Sequence, residues 1–282
     1  MQRRRFLAVC GAGLVAGCLG ESGSDTPGGG DRDSPEGDTP TGDDGTDTGE
    51  AGGDGTGLSV SVEKLQPALV AMSTPDSIGV YSADRAQYLF LQLAVERGDP
   101  PARSELSFRF DGDEHDPLEA DGPRDLWRLY DGEENRYDAD SGEGWVCFPL
   151  PATGAPEGAG LTWADSVWVP SPDVRERLAA ESPPLSVEWS APDTVEVGET
   201  PAVEVSVTNE GDHAGRFVGA LNRTGPAVAY TPVTATSRLL PAGETETWTL
   251  ETDDLDGTGD ATYHLHWPDG HRQRTVEVAP QE

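Results

Sequence analysis

Apolar and polar side chains alternate along residues 58–170, which is the pattern of β-strands with one buried face. The alternating apolar sets are Leu58/Val60/Val62, Leu106/Phe108/Phe110 and Val146/Phe148/Leu150. Tyr88–Val95 is instead apolar at almost every position, which indicates a strand covered on both faces. Turn sequences such as Asp111-Gly112 and Asp131-Gly132 separate the runs. Many short strands joined by glycine- and proline-containing turns predict a β-sandwich.

A short helix is predicted in residues 171–184, where the strand pattern breaks. Ser171 has the side chain of a helix N-cap, and Pro172 suits the first helical position. Val174 and Leu178 lie four residues apart and would form the buried stripe of this helix. Two adjacent prolines end the pattern, so we expect the segment to join two folded domains.

Period-two alternation returns in residues 185–282, where Val203–Asn209 reads VEVSVTN. Gly257–Val278 contains two more such runs around a Pro268-Asp269-Gly270 turn, which is typical of a hairpin. Residues 185–282 and 58–170 each have the length of one ordinary domain. The sequence therefore predicts an all-β protein with two tandem antiparallel β-sandwiches.

The first 17 residues differ in composition from the rest and predict an export signal. Arg3–Arg5 precede an apolar run, Phe6–Ala16, which is far shorter than the roughly 20 residues that span a bilayer. The residues that resemble the twin-arginine export motif are Arg3, Arg4, Phe6 and Leu7. Val15-Ala16-Gly17-Cys18 resembles a lipobox. The resemblance implies that residues 1–17 are removed and that a lipid on Cys18 anchors the chain on the outer face of the cell membrane.

Residues 18–57 predict a disordered tether between this anchor and the folded part. From Leu19 to Gly57 the chain has eleven acidic residues, a single arginine and no aromatic side chain. Such a segment cannot bury enough apolar surface to offset the entropy that it would lose on ordering.

The whole chain is strongly acidic, with a formal net charge of −33 and a single lysine, Lys64. This composition resembles that of proteins from halophilic archaea, in which molar salt screens the repulsion between acidic side chains. We expect no nucleic-acid partner, because binding nucleic acid requires a basic surface. Cys10 lies in the signal and Cys18 in the lipobox, so Cys147 has no disulfide partner and the domains must be stabilised by their cores.

Three segments of the second domain match a known pattern of strands and turns. Leu185–Asp212 places two strands around the VEVG turn, Leu240–Glu251 contains a PAGE turn, and Gly257–Val278 forms the final hairpin. These segments resemble the Ig-like domains of archaeal and bacterial surface proteins, notably the CARDB (cell-adhesion-related) type. The resemblance implies an Ig-like sandwich in residues 185–282 and, more loosely, another in residues 58–170.

One part of the second domain departs from that pattern. Within Gly215–Arg238, Gly225-Pro226 and Thr231-Pro232 fall where paired strands are expected. Proline donates no backbone hydrogen bond and is disfavoured inside a sheet. The sequence therefore leaves the strand pairing of this edge open.

Four polar residues of the second domain are candidates for modification or metal binding. Asn222 begins the Asn-Arg-Thr sequon and is a candidate N-glycosylation site, if it is not simply part of a polar loop. His264 and His266 share one face of a predicted strand and His271 lies across the turn, so three imidazoles could bind Zn²⁺ or Cu²⁺. We favour the alternative that these histidines form the polar, solvent-facing side of an edge hairpin, with no metal.

Two further patterns are weaker. A blue-copper site requires a histidine a few residues after its cysteine and a methionine nearby. Cys147 has neither and is predicted to be a core residue. Asp111–Asp116 and Asp254–Asp260 resemble calcium-binding loops, but Leu265 stands where the second loop would need its glutamate. Hairpin turns in an acidic protein are the better account, and no cofactor is predicted.

The sequence predicts a non-catalytic cell-surface lipoprotein and not an enzyme, since no nucleophile elbow, phosphate-binding loop or zinc-protease motif occurs. Its expected role is adhesion or envelope organisation. Its expected partners are the membrane, through the lipid, and an envelope protein or glycan, bound through loops such as Asp111–Asp116 and Gly211–Thr231. The alternative is an accessory solute- or metal-binding lipoprotein that uses the His264/His266/His271 hairpin.

Overall fold

The alternating segments fold into antiparallel sheets, which confirms the all-β prediction. The computed structural model describes residues 48–51, 56–82, 86–118 and 136–281. The strands of the first half are β1 (Thr48–Ala51), β2 (Gly57–Gln66), β3 (Leu69–Thr74), β4 (Ser77–Tyr81), β5 (Ala86–Arg97), β6 (Ser107–Phe110), β7 (Asp113–His115), β8 (Glu143–Pro151), β9 (Gly160–Trp163) and β10 (Ser166–Trp168).

A single turn of 3₁₀-helix, Arg103–Glu105, precedes β6, and one α-helix, α1 (Pro172–Ala179), follows β10. The strands of the second half are β11 (Leu185–Ser190), β12 (Thr194–Glu196), β13 (Val203–Asn209), β14 (Gly215–Thr224), β15 (Thr231–Leu240), β16 (Thr245–Leu250), β17 (Gly259–Trp267) and β18 (Gly270–Ala279). No helix in the described ranges combines the length and the apolar character that crossing a membrane requires.

The first sandwich packs the sheet β1-β2-β5-β8 against the sheet β10-β9-β6-β7. Phe108 of β6 and Phe148 of β8 meet in its core, with ring centres 5.6 Å apart. Both faces of β5 are covered, as the sequence predicts: Leu89, Leu91 and Leu93 enter this core. On the opposite face Tyr88 and Phe90 pack in a smaller cluster with Leu69, Trp145 and Cys147.

The first sheet begins earlier than the predicted domain boundary at residue 58. β1 pairs antiparallel with β2, so that Ala51 lies opposite Leu58 and Thr48 opposite Ser61. An edge strand of this kind is held by backbone hydrogen bonds, which do not depend on apolar side chains. For this reason the acidic, glycine-rich composition of residues 18–57 did not indicate it.

Helix α1 begins at Pro172 as predicted, ends at Ala179, ahead of the two prolines, and packs on the first sandwich. The Ser171 hydroxyl accepts a hydrogen bond of 3.3 Å from the backbone N–H of Val174, which caps the helix. Val174 and Leu178 are buried in the core of the first sandwich. The side-chain amide of Gln87 also donates to the Leu178 carbonyl oxygen at 2.8 Å, so the helix is bound to β5.

The second sandwich packs the sheet β11-β13-β16 against the sheet β12-β18-β17-β14-β15. Val203, Val205 and Val207 of β13 supply one side of the core, and Phe217 and Leu221 of β14 supply part of the other. This arrangement is an Ig-like β-sandwich, as the sequence predicts. The described strands thus form two sandwiches of antiparallel sheets, with one short parallel pair between β12 and β18.

The strand pairing that the sequence left open is present. β14 and β15 pair antiparallel, Gly225-Pro226 lies in the turn between them, and Pro232 lies at the start of β15 beside a register shift. Both prolines therefore avoid the regular part of the ladder. The prediction that Gly211–Thr231 is a loop is wrong, because Gly215–Thr224 within it form strand β14, of which Gly215–Asn222 are buried.

The hairpin of β3 and β4 packs on the outer face of the second sandwich, and we name residues Leu69–Tyr81 the clasp hairpin. Val70 and Ile78, with the preceding Ala68, form a buried cluster with Val218 and Ala220 of β14. Met72, Val80 and Ala235 pack around it. Both sandwiches belong to the compact unit that begins at residue 41.

Candidate functional site

The predicted export and lipid-attachment residues lie outside the described residues and stay predictions; they are Arg3, Arg4, Phe6, Leu7 and Cys18. The other four candidates lie together, on the outer face of the five-stranded sheet: Asn222, His264, His266 and His271. This face is the candidate functional site. One part of it is covered by the clasp hairpin and the other part is open.

Asn222 is fully buried beneath the clasp hairpin and does not lie in a polar loop. Its side-chain oxygen accepts a hydrogen bond from the backbone N–H of Ile78, and its amide nitrogen donates to the Ile78 carbonyl oxygen, each at 2.9 Å. Asn222 thus pairs with Ile78 as a neighbouring strand would. Because the amide nitrogen is enclosed and bonded, the folded protein does not present it as an acceptor for a glycan.

The three histidines follow the register of the last hairpin. His264 lies beside Asn222, and its ring stands 5.5 Å from the ring of Tyr230. The Thr224 hydroxyl lies 3.3 Å from Nε2 of His264. His266 and His271 lie directly opposite each other on β17 and β18, with ring centres 6.0 Å apart and planes inclined by 20°.

Partial burial lowers the pKa of His264. The pKa of His266 is also lowered, by burial first and then by the nearby imidazoles of His271 and His264. Both side chains are therefore neutral near pH 7. In the part of the chain that the structure describes, no three His, Cys, Asp or Glu side chains are grouped to hold a metal ion. The three histidines thus do not form one ligand set, because His264 is turned toward Thr224 and Tyr230.

The open part of this face carries three uncharged cross-strand pairs from β17 and β18, here called the ladder: Thr262/Thr275, His264/Gln273 and His266/His271. The next pair on the same face, Asp260/Glu277, is acidic. The hydroxyls of Thr262 and Thr275 are hydrogen-bonded at 2.9 Å. Leu265, which lies between His264 and His266, points to the core of the sandwich, as the period of two requires.

A long run without acidic residues was missed by the sequence reasoning, which considered only the total charge. The 31 residues from His213 to Gly243 contain no Asp or Glu, and this is the longest such run in the chain. They contain three arginines, Arg216, Arg223 and Arg238. The run folds as β14 and β15. A plot of charge along the sequence, in place of its sum, would have indicated this segment.

Strand β15 is the last strand of its sheet, and within the described residues its backbone ladder pairs only with β14. Its residues from Thr231 to Leu239 are all partly exposed. A cavity of about 700 Å³ opens beside it, lined by Val233 and Thr234 and by Thr249–Asp253 at the end of β16. The free edge of β15 and the ladder are therefore the two accessible parts of the site.

The weaker candidates are structural. Cys147 is fully buried, and burial raises the pKa of its thiol well above the ordinary value. Asp111-Gly112 forms the turn between β6 and β7, and the Asp111 carboxylate accepts a hydrogen bond of 2.8 Å from the N–H of Ala155. Asp254 accepts a hydrogen bond from the hydroxyl of Thr200, ahead of β17.

His213 connects the segment after α1 to the second sandwich. Its Nε2 lies 2.6 Å from the carbonyl oxygen of Glu181, and its Nδ1 lies 2.9 Å from the carboxylate of Asp212. Because both ring nitrogens face acceptors, the doubly protonated ring is favoured. The pKa of His213 is raised, chiefly by the hydrogen bond with Asp212 and then by the one with Glu181.

We expect replacement of His213 by glutamine to change the pH dependence of stability. A raised pKa in the folded state stabilises the protein below the unfolded value of about 6.5. This contribution is lost as the pH rises through the folded value. The difference in unfolding free energy between the native chain and His213→Gln should therefore be largest on the acid side and shrink above neutrality, in denaturation curves at several pH values. Parallel pH profiles for the two proteins would contradict it.

No protein-family profile matches this chain, and no curated protein matches it. Among solved structures it is similar to a β-glucosidase from Listeria innocua in complex with glucose, with 20% identity and a TM-score of 0.31 over 34% of this chain and 16% of that chain. It is also similar to the CARDB domain of the PF1109 protein from Pyrococcus furiosus, in complex with di-metal ions. There the identity is 20% and the TM-score 0.31, over 37% of this chain and 99% of that chain.

A further similar structure is DesR, a β-glucosidase from Streptomyces venezuelae in complex with D-glucose. The identity is 28% and the TM-score 0.27, over 34% of this chain and 15% of that chain. The chain therefore spans only a small part of the β-glucosidases that it matches.

Proposed function

We propose that this protein is a non-catalytic surface lipoprotein of a halophilic archaeon, which holds an envelope partner through its C-terminal, CARDB-like sandwich. In this proposal Cys18 carries the lipid on the outer face of the membrane, and the acidic tether separates the lipid from the two sandwiches. The order of arginines, apolar run, small residues and Cys18 supports the export and the anchor.

The observation that carries the proposed binding role is the acid-free run at the β15 edge. The chain has a net charge of −33, and in molar salt its repulsion of other acidic proteins is screened beyond about 3 Å, so it acts chiefly between side chains in direct contact. A contact is least opposed where acidic side chains are missing, which is the case from His213 to Gly243. Burial explains the missing carboxylates of β14, but Thr231–Leu239 of β15 are partly exposed and could carry them.

Strand addition is the binding mode that this edge favours. An edge strand has unpaired backbone groups along one side and can accept a further strand from another chain. β15 is ten residues long, and Arg238 is its only charged residue. We therefore propose an envelope protein, contributing an extended segment, as the partner. A glycan is the second candidate, since the neighbouring ladder presents hydroxyl, amide and imidazole groups that hydrogen-bond to sugars.

The test is crosslinking and affinity recovery from intact cells in native salt, with the native chain and Thr234→Glu. Thr234 lies on β15, so an added carboxylate there should reduce recovery of the partner. The matched control is Thr247→Glu on β16, an exposed site that lies next to existing acidic residues. Equal recovery with both variants would contradict the role of the edge, provided that circular dichroism shows both to be folded.

The identity of the recovered partner separates the two candidates. A protein that crosslinks to β15 supports strand addition. Recovery that is abolished by prior deglycosylation of the cells supports a glycan. Recovery of this protein alone, in every condition, would overturn the partner-binding role.

A further inference from the structure

The pair His266/His271 is positioned by the backbone register of β17 and β18. The two residues are directly opposite in the antiparallel ladder, so their side chains leave the same face of the sheet. The neighbouring positions on this face are Ala220, His264 and Gln273. None of these carries a carboxylate, and the nearest acidic residue along the chain is Asp269, in the turn.

The turn beside the pair is fixed by packing. Trp267 and Gly270 close the hairpin as opposite residues, and a Cβ atom on Gly270 would lie 2.6 Å from the Trp267 ring. Arg272 lies over the other part of this indole, with its guanidinium carbon 5.7 Å from the ring centre. Glycine is therefore required for the close approach, and the indole holds the strands in the register that sets His266 against His271.

The spacing of the two rings suits a shared metal ion. Since a metal–nitrogen bond is about 2.0–2.1 Å long, two imidazoles bound to one ion have ring centres roughly 5–6 Å apart. The observed separation is 6.0 Å, and the rings are nearly parallel. Because the lone pairs of imidazole nitrogens lie in the ring plane, the two stacked rings must turn about their Cβ–Cγ bonds for one nitrogen of each to face a common metal ion.

His264 lies outside this pair. It is two residues from His266 along β17, which places it about 7 Å away. Its ring is held by contacts with Thr224 and Tyr230. These contacts leave a set of two imidazoles and not three.

We propose that His266 and His271 form a two-imidazole site for a divalent transition-metal ion, with the remaining coordination positions filled by water or by a group from a partner. Imidazole suits Cu²⁺, Ni²⁺ and Zn²⁺, and affinity for a given set of ligands is highest for Cu²⁺. Calcium and magnesium prefer oxygen ligands and should not compete. This site is separate from the β15 edge, so its test and the test of partner binding can fail independently.

The experiment is calorimetric titration of the full chain with Cu²⁺, Ni²⁺ and Zn²⁺ in molar sodium chloride with excess Mg²⁺, which occupies the surface carboxylates. We expect saturable binding of one ion per chain, tightest for Cu²⁺, with partial quenching of the tryptophan fluorescence, since Trp267 is one of seven tryptophans. Loss of one ligand, in His266→Ala or His271→Ala, should weaken binding by no less than the roughly 10–100-fold that loss of an outer-shell partner costs.

Two control variants decide between the alternatives. His115→Ala, on β7 in the first sandwich, should bind as the native chain does. His264→Ala should also retain binding within about twofold, because His264 is outside the pair. Equal loss in His264→Ala would replace the pair by a three-histidine site, and unchanged affinity in both His266→Ala and His271→Ala would overturn the proposal. The electron paramagnetic resonance spectrum of bound Cu²⁺ should show hyperfine splitting from two imidazole nitrogens. A folding defect would not produce this signal.

Discussion

Replacement of Asn222 by alanine should lower the free energy of unfolding by about 2–4 kcal/mol, because it leaves two buried backbone groups without partners. The N–H and the carbonyl oxygen of Ile78 are both bonded to the Asn222 side chain in the native protein. Alanine can replace neither bond. Chemical denaturation in molar salt measures the loss. The matched control is Gln273→Ala, an exposed residue of the same sheet, which should change stability by less than about 0.5 kcal/mol.

Asn222→Asp distinguishes the hydrogen bonds from packing. The introduced carboxyl has nearly the shape of the amide, but its charged form cannot donate to the Ile78 carbonyl oxygen and is costly to bury. This variant should therefore be less stable than Asn222→Ala at neutral pH and should recover part of the loss on acidification, since protonation restores a donor. A loss as small as that of Gln273→Ala in both Asn222 variants would show that the clasp hairpin is not held there.

The largest single loss is expected for Phe148→Ala, at about 3–5 kcal/mol. Phe148 is fully buried, and its ring meets Phe108 between the two sheets of the first sandwich. Truncation leaves a cavity that the rigid strands around it cannot fill. Val228→Ala is the control, since Val228 is 36% exposed in a turn and should contribute less than about 0.5 kcal/mol.

The same variant tests how the two sandwiches are coupled. If the clasp hairpin joins them into one cooperative unit, Phe148→Ala should also reduce hydrogen-exchange protection of β13, in the second sandwich. Peptide-resolved exchange in molar salt measures this directly. Loss of protection confined to the first sandwich would show that the two sandwiches unfold separately.

Side-chain periodicity predicted the strands whose faces differ in polarity. β5, β13 and the hairpin of β17 and β18 were all indicated by alternation or by a continuous apolar run, and α1 by its cap and stripe. Strand β1 was not predicted, because backbone hydrogen bonds hold an edge strand and side-chain composition does not indicate them. The clasp hairpin was also not predicted, because its contacts join residues about 140 positions apart, as Ile78 and Asn222 show.

The site was predicted in part. Alternation placed His264 and His266 on one face of a strand and His271 across the turn, and the register agrees. It could not show that Thr224 and Tyr230 hold the ring of His264, which depends on a neighbouring strand. The burial of Asn222 was equally hidden, since a three-residue sequon carries no information on tertiary contacts.

The clasp hairpin also has a mechanical consequence. The chain passes from the first sheet to this hairpin after Gln66 and re-enters the first sheet at Ala86, but the hairpin packs on the second sandwich. A force applied to the β15 edge is therefore transmitted to the first sandwich through the packing of the clasp hairpin as well as through the covalent link after α1. Two domains joined only by a flexible linker would rotate independently under such a load, whereas the two sandwiches of this protein would move together.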